Sequence, residues 1–416
     1  MSDRWDLVHR LALANCAFIL TGAITTHIMT PGATPLEGNA FGQFIMGISY
    51  LFVVPILVIY RREFLTIIHR NRSLALLVLL AFVSCFGTET PAFSLRRCFA
   101  TTCATFFGVA LAIKLTSEEQ LRMLSWLFRI ISVLSVACVI VLPSYGLMDS
   151  AEQEWRGVFG FKNVLGAVMA LSLLVEWLLP ANTRWSKMLN RAAMFLSAGL
   201  LIRANSLTPL VAIVGTFVVV QIYRFTTLRL RMPLYATVVA SVLVGTLGLV
   251  LVAPRTDALI LLMGRTPELT GRTEIWHWVI GFIQERPLLG YGYAGFWTES
   301  VSATVERAIG SHMYSHNGYL DTILTIGILG LSLAMVFLGV GLKRAMAWSV
   351  RTESQASLWP LAILCFFLLY NLGECTIFMP DLQWSLCVAA IVGSDLVLFE
   401  PETAPEDELM LMASEA

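Results

Sequence analysis

Long apolar runs separated by short polar ones set the pattern of this chain. Runs at 41–60, 74–87, 232–253 and 316–342 approach or exceed the ~20 residues that a helix needs to cross a bilayer. Apolar residues within them follow one another rather than alternating, so they read as helices and not as strands of a barrel. About twelve spans are predicted: 11–29, 41–60, 74–88, 95–113, 124–143, 163–180, 192–204, 207–223, 232–253, 316–342, 356–372 and 381–399. The pattern over 192–223 fits either two spans joined by a tight turn at Asn205–Pro209 or one broken helix. The expected class is an all-α polytopic membrane protein.

One segment breaks the rhythm. Residues 254–315 are polar and rich in Gly, Arg and Trp, and they end in Ser315-His316-Asn317. The chain therefore divides into an N-terminal bundle of about nine helices (1–253), a large loop (254–315), a C-terminal group of about three helices (316–399) and an acidic tail (400–416). Exposed loops held by a rigid scaffold commonly carry chemistry, so the loop and its rims are the first place to look.

Charge placement orients the bundle. With the N-terminus cytoplasmic, 18 of the 28 basic residues fall in inner loops, from Arg4 and Arg10 through Arg224, Arg229 and Arg231 to Lys343, Arg344 and Arg351. That is the bias expected of short loops. Both termini are then inside, and 254–315 faces the outside. The other ten (Arg96, Arg97, Arg156, Lys162, Arg203, Arg255, Arg265, Arg272, Arg286 and Arg307) lie on the outer side, where the rule disfavours them. An anionic ligand at the outer face would account for them, since guanidinium binds phosphate bidentately. For the arginines of the long loop, the weakening of the rule in long segments is an equal account.

Composition agrees: 57% hydrophobic, 13% charged and no net charge, with a mean hydropathy of +0.75. A soluble domain carries about a quarter charged residues, and nothing here offers a surface for nucleic acid. The eight cysteines show no CxxC or zinc spacing, and none falls in 254–315. No small-residue cleavage site follows the first span, so no cleaved signal is expected. Glu176, near the inner end of the sixth span, reads as interfacial.

Within the large loop, Thr273 is placed to cap a helix over 274–286 whose stripe is Ile275, Trp276, Val279, Ile280 and Ile283. Pro287 ends it, and a glycine-dependent turn follows through Tyr291-Gly292-Tyr293. With Phe296 and Trp297 these residues read as an amphipathic helix and aromatic turn on the membrane surface. Arg272 at the start of that helix makes a natural anion site. His316 stands where the loop re-enters the membrane. It reads either as a proton acceptor, given an unperturbed pKa of about 6.5, or as a cap on the tenth span. His312 and His316 lack a third ligand at suitable spacing, so no metal site is expected. Glu374 and Asp381 flank the last outer loop, either to hold an arginine or simply solvated.

Several segments taken together resemble the O-antigen ligase/polymerase family, in particular its Wzy-type exopolysaccharide polymerases. They are Gly271-Arg272-Thr273-Glu274-Ile275-Trp276, Glu285-Arg286-Pro287-Leu288-Leu289-Gly290-Tyr291-Gly292 and His316-Asn317-x-Tyr319-Leu320. Supporting stretches are Pro91 to Arg97, Arg156 to Gly166 and Asn371-Leu372-x-Glu374. Two departures stand out: Phe161 replaces a histidine common in the family, and Ala204-Asn205-Ser206-Leu207-Thr208 lacks the serine and arginine usual at that turn.

The resemblance implies a GT-C-like glycosyltransferase architecture and a metal-independent, inverting transfer without a cofactor, at the outer face of the bacterial inner membrane. The donor would be an undecaprenyl-diphosphate-linked glycan. The acceptor would be another lipid-linked repeat unit in a polymerase, or the lipid A core in a ligase. A flippase and a chain-length regulator would be the partners. His316, Arg272 and Arg156 are the expected catalytic residues. Lys162, Arg97, Arg203, Asn317, Tyr319 and Tyr291 are expected to bind diphosphate or glycan. A twelve-span transporter is the alternative of a different class, but the halves look unrelated and intramembrane charge is scarce.

Overall fold

The structure is a computed structural model that describes residues 3–23, 40–149, 153–252, 272–298, 301–305, 314–352 and 354–399. Residues 254–271, 299–300 and 306–313 of the large loop, with Arg255, Arg265, Arg307 and His312, and the acidic tail therefore lie outside the described residues. The described helices are α1 (Asp3–Leu20), α2 (Ala40–Leu51), α3 (Val54–Ile59), α4 (Arg61–Arg70), α5 (Arg72–Ser84), α6 (Pro91–Lys114), α7 (Ser117–Val141) and α8 (Pro143–Gly146). They continue with α9 (Lys162–Leu178), α10 (Arg184–Arg203), α11 (Leu207–Tyr223), α12 (Leu234–Val252), α13 (Arg272–Glu285), α14 (Gly318–Arg351), α15 (Trp359–Tyr370) and α16 (Leu382–Phe399). Among the described residues no sheet forms; the one strand-like pairing is the bridge Leu147–Trp155.

Four stretches are each long and apolar enough to cross a membrane: Pro91–Lys114, Ser117–Val141, Leu207–Arg229 and Gly318–Arg351. A fifth counts if Phe44–Ile59 and Arg61–Arg70, bent by 93°, form one broken span. Helices α5, α12, α15 and α16 are apolar but shorter. The protein is thus a helical membrane protein, although its helices are more broken than twelve uniform spans. The bend explains part of the difference. Arg61, Arg62, Glu63 and Arg70 make α4 too polar to continue the apolar run of α2 and α3, so the chain turns aside. The 192–223 pattern resolves as two helices, with the turn at Ala204–Ser206 and Asn205 in the left-handed region (φ 48°).

The outside of the bundle is apolar: Phe86, Phe99, Ile140, Val141, Phe195 and Val242 are all exposed, as a lipid-facing surface requires. Inside, helices approach closely at small residues. A side chain at Gly108 of α6 would meet the Ser385 carbonyl of α16 at 2.4 Å, and one at Gly341 of α14 would meet Ile391 of α16 at 2.3 Å. Two buried carboxylates are paired with arginines. Glu176, near the end of α9, is buried and receives Arg129 through Nε (2.8 Å) and Nη2 (2.6 Å), plus the Ser125 hydroxyl (2.7 Å). Asp395 faces Arg344 at 3.3 Å. Both pairs sit inside the helix bundle, where an unpaired charge is costly.

At the polar end of α1, Asp6 contacts Lys114 at 2.6 Å and Arg10 at 2.6 Å. Those two cations hold its carboxyl well below the ordinary value of 3.8, at about 2. Arg10 also reaches Glu119 of α7 at 2.7 Å. This network ties α1 to the α6–α7 turn, which is closed by a capping box between Thr116 and Glu119.

Helix α14 is interrupted inside. Ile326 and Gly327 leave helical geometry, Gly327 at φ 70° and ψ −179°. The break removes the helical bond from Ile328 N–H to Leu324 C=O. Each group finds a partner in the turn after α13 instead: Ile328 N–H donates to Pro287 C=O (2.9 Å) and Leu324 C=O accepts from Tyr291 N–H (2.9 Å). Irregular backbone at membrane depth is tolerated only when satisfied in this way. The consequence for function is positional: the end of the helix that starts at Arg272 is zipped to the helix that starts just after His316.

Candidate active site at the helix termini

The site assembles where five chain segments end or begin. Arg272 is the first residue of α13, and its Nη1 donates to the Thr208 hydroxyl (3.2 Å) in the first turn of α11. Its Nη2 lies 3.5 Å from Glu374 Oε1, in the turn after α15. The other carboxylate oxygen, Oε2, lies 3.6 Å from His316 Nδ1. Asn163, in the first turn of α9, donates to Glu374 Oε1 (3.3 Å) and accepts from the Ser206 hydroxyl (3.1 Å). Side chains of Arg272, His316 and Glu374 are 20%, 17% and 16% exposed. They are sheltered from bulk water but still open on one side, a setting in which charges act more strongly than on a free surface.

Each side chain is held by local structure. His316 has φ 49°, unusual for a residue with a side chain. Its neighbours enforce it: the Ser315 hydroxyl donates to Asn317 C=O (2.9 Å), and Asn317 N–H returns to the Ser315 hydroxyl (3.3 Å). Trp276 Nε1 donates to Ser315 C=O (2.9 Å), so α13 braces the His316 turn directly. Glu374 follows Asn371, whose Oδ1 accepts from Thr376 N–H (2.8 Å) and Ile377 N–H (3.1 Å) while its Nδ2 donates to Phe367 C=O (2.8 Å). Gly318 packs so closely on Asn371 that a side chain there would sit 2.1 Å from Oδ1. Asp321 is buried and accepts from Trp297 Nε1 (2.9 Å), which pins the 291–298 segment to the same helix start.

At 3.6 Å the Glu374 carboxylate gives the His316 ring a negatively charged neighbour on its Nδ1 side without a direct hydrogen bond. A guanidinium beside the same carboxylate supplies positive charge from a fixed position. The constellation therefore offers one proton acceptor and one anion-stabilising group, linked through Glu374.

The remaining expected residues distribute themselves differently. Arg156 is 7% exposed. It bridges two backbone carbonyls, Nε to Tyr145 and Nη2 to Ser144, both at 2.9 Å. Among the described residues its bonds brace the 143–157 turn and do not reach the Arg272 cluster. Lys162 pairs with Glu154 and is the sequence neighbour of Asn163, so this pair flanks the cluster. Arg203, at the end of α10, lies over the Trp155 ring (5.2 Å), three residues before Ser206. Arg97 lies over Phe93 (5.1 Å) in α6.

Asn317 is the N-cap of α14: its Oδ1 accepts from Tyr319 and Leu320 N–H, both at 3.1 Å. Tyr319 donates its hydroxyl to Leu368 C=O (2.8 Å). The Tyr291 hydroxyl lies 2.7 Å from Glu285 Oε2, and Arg286 covers the ring at 4.7 Å. Burial and the Glu285 carboxylate push that phenol up to about 12.

The aromatic turn is not a surface anchor. Tyr293, Phe296 and Trp297 are buried. The Tyr293 hydroxyl lies 2.6 Å from the Thr101 hydroxyl and 2.9 Å from Phe378 C=O, partners that make its burial possible. Of the helical stripe, Ile275 and Val279 are buried, while Ile280 faces outward. Asn163, Ser206, Thr208 and Trp276 enter the site without having been picked out for it. Asn163 and Trp276 lie in segments that carry the family resemblance, and Ser206 and Thr208 in the turn that departs from it, but no residue pattern marks any of the four singly.

The chain is similar to known proteins. Residues 192–335, from α10 through the break in α14, match the family model described as O-Antigen ligase. Over 319 residues the chain is 24% identical to the exopolysaccharide production protein ExoQ of Rhizobium meliloti (strain 1021), covering 72% of this chain and 70% of that protein. The matched segment contains Thr208, Arg272 and His316, three members of the cluster. The model match and the relative together support the O-antigen ligase/Wzy-type family as the family of this chain.

Proposed function

We propose that the protein joins undecaprenyl-diphosphate-linked oligosaccharide repeat units into exopolysaccharide or O-antigen, by inverting and metal-independent glycosyl transfer at the outer face of the inner membrane. The observation that carries this reading is the convergence of Arg272, Glu374 and His316 from three separate segments. In the transfer, an acceptor sugar hydroxyl attacks the anomeric carbon of the donor while the bond from that carbon to the diphosphate oxygen breaks. The electron pair leaves with undecaprenyl diphosphate, and the hydroxyl proton passes to the His316 imidazole. Arg272 meets the charge that grows on the leaving diphosphate. Glu374 is a positioning residue that fixes the guanidinium beside the imidazole. Lys162 and Arg203 flank the cluster as further diphosphate contacts, and Arg97 serves the glycan from α6. Arg156 acts by holding the 143–157 turn.

On this reading both termini are cytoplasmic, residues 254–315 are periplasmic, and the flippase and chain-length regulator are the working partners. A second reading rests on the wording of the family match: a ligase would hand finished glycan to the lipid A core. Lipid-linked and lipid A-linked glycans from a deletion strain separate the two on gels. Single repeat units without polymer, rescued by wild type but not by His316→Ala or Arg272→Ala, support the polymerase. Finished polymer stranded on the lipid carrier, beside bare lipid A core, supports the ligase. An unchanged glycan profile overturns both.

A further inference from the structure

A second site lies at the other end of the same helices. Helices α11, α14 and α15 each touch the Arg272 cluster at one end: Thr208 begins α11, His316 precedes α14 and Glu374 follows α15. At their opposite ends they enclose an open cavity of about 990 Å3, whose lining includes Arg224, Arg229, Arg231, Thr227, Ser349 and Ser354. The 17 residues of α11 place the two sites roughly 25 Å apart. Among the described lining residues there are three arginines and no carboxylate.

The backbone is irregular where these arginines lie. After Tyr223 the chain makes a π-helical turn over Arg224–Arg229, closed by Leu230 N–H to Phe225 C=O (3.0 Å). In an α-helix residues five apart point some 140° away from each other, whereas an i→i+5 turn stacks them. Arg224 and Arg229 are such a pair. Arg231 then adopts φ 51°, a conformation that side-chain-bearing residues rarely take, and Met232 N–H returns to Thr226 C=O (2.9 Å).

The turn is fixed from both sides. Thr237 Oγ1 lies 2.5 Å from Thr226 Oγ1 and 2.7 Å from Thr227 Oγ1. The Tyr223 hydroxyl lies 2.7 Å from the Ser349 hydroxyl on α14. Of the three arginines, Arg224 donates to the neutral Gln221 side chain (3.3 Å). Three guanidinium groups lining one open, hydroxyl-rich space offer a matching environment for an anion.

We propose that this cavity binds a phosphate-bearing anion, separately from the site at the other end. The shared chemistry is a phosphate group with two or more charged oxygens, carried either by a lipid headgroup or by a free phosphate. Calorimetric titration of the detergent-solubilised full-length protein tests it, using inorganic diphosphate and dihexanoyl phosphatidic acid as probes. Both titrations are made in an Arg272→Ala/Lys162→Ala/Arg203→Ala background, so that the diphosphate contacts proposed for transfer do not contribute.

The expected result is saturable binding that weakens about 100-fold in Arg224→Gln/Arg229→Gln/Arg231→Gln, taking each basic side chain at roughly fivefold. Binding is expected to stay within twofold in Arg61→Gln/Arg62→Gln, which removes two arginines of α4 outside the cavity. Binding of both probes assigns the site to phosphate itself; binding of phosphatidic acid alone assigns it to a lipid headgroup. Absence of binding to either probe overturns the proposal, as does equal weakening by the α4 pair. If the triple variant does not fold, Arg231→Gln alone carries the test, with a loss of about fivefold expected and unchanged affinity overturning it. Neither outcome bears on transfer chemistry, which the glycan profile reads independently.

Discussion

Gly327 is the position where a single methyl group should do the most damage. A side chain there would lie 2.0 Å from the Leu288 carbonyl oxygen and 2.2 Å from its carbon, both backbone atoms. The residue also holds φ 70° with ψ −179°, a region open in practice to glycine alone. Gly327→Ala therefore costs about 1–3 kcal/mol in backbone strain. It also forces the 287–291 turn away from α14, breaking the bonds from Ile328 to Pro287 and from Tyr291 to Leu324. Each such bond contributes about 0.5–1.5 kcal/mol, and more if its groups stay buried and unpaired. The sum is about 3–5 kcal/mol, which lowers the melting midpoint of the solubilised protein by roughly 5–10 °C.

Gly339, on the same helix, has no atom within 4 Å of an added side chain. Gly339→Ala is expected to leave the midpoint unchanged or raise it slightly, since alanine favours helix by about 0.5–1 kcal/mol. The assay is fluorescence-monitored melting of both variants beside wild type. A Gly327→Ala midpoint within a degree of that of Gly339→Ala would refute the zipped-turn account.

Glu374→Gln keeps the shape and the Asn163 contact but removes the charge between Arg272 and His316. Polymer formation should fall about 10- to 100-fold, the loss of one hydrogen bond to a charged partner, with melting within 2 °C of wild type; unaltered polymer yield would sink the positioning role. Arg156→Ala removes two charge-assisted bonds to the Ser144 and Tyr145 carbonyls. It should destabilise by about 3 kcal/mol, so a variant that melts normally yet makes no polymer would return Arg156 to the chemistry. Trp276→Phe frees the Ser315 carbonyl and should reduce activity about fivefold, near 1 kcal/mol; full activity would mean that α13 does not brace the His316 turn. Asp6 is held at about 2 by Lys114 and Arg10, against an ordinary value of 3.8. Its pairing stabilises the fold fully above pH ~4 and is lost as pH falls towards 2. The melting difference between wild type and Asp6→Asn should therefore shrink across that window, and a constant difference would contradict the pairing.

What could be read from the sequence, and what could not, divides along physical lines. Apolar runs identify membrane helices because the bilayer imposes one requirement on every residue of a span, and α6, α7, α11 and α14 satisfy it individually. The break in α14 is invisible to that reasoning. Gly327 sits in a run that is apolar on both sides, and what unwinds it is a turn some forty residues upstream. Asn317 shows a different limit. Beside His316 it invited a role in binding substrate, yet an Asn directly before the apolar run from Gly318 is also the ordinary signature of a helix N-cap, and capping is where its carboxamide is used.

The aromatic turn shows a third limit. Composition alone does not distinguish a Tyr at the interface from one buried with its hydroxyl satisfied, and Tyr293 is settled only by Thr101 and Phe378. The site itself depends on separations that local patterns do not encode: Asn163 reaches Glu374 across 211 positions, and Arg272 reaches Thr208 across 64. Residue chemistry leaves His316 open between a proton acceptor and a cap, and Arg272 between an anion site and an ordinary loop arginine; the family resemblance is what singles them out. Glu374 could not be weighted in the same way, because a carboxylate in a short loop is ordinary until a cation is seen to face it. It becomes the informative residue only when the fold places it between the other two, its carboxylate 3.5 Å from Arg272 and 3.6 Å from His316.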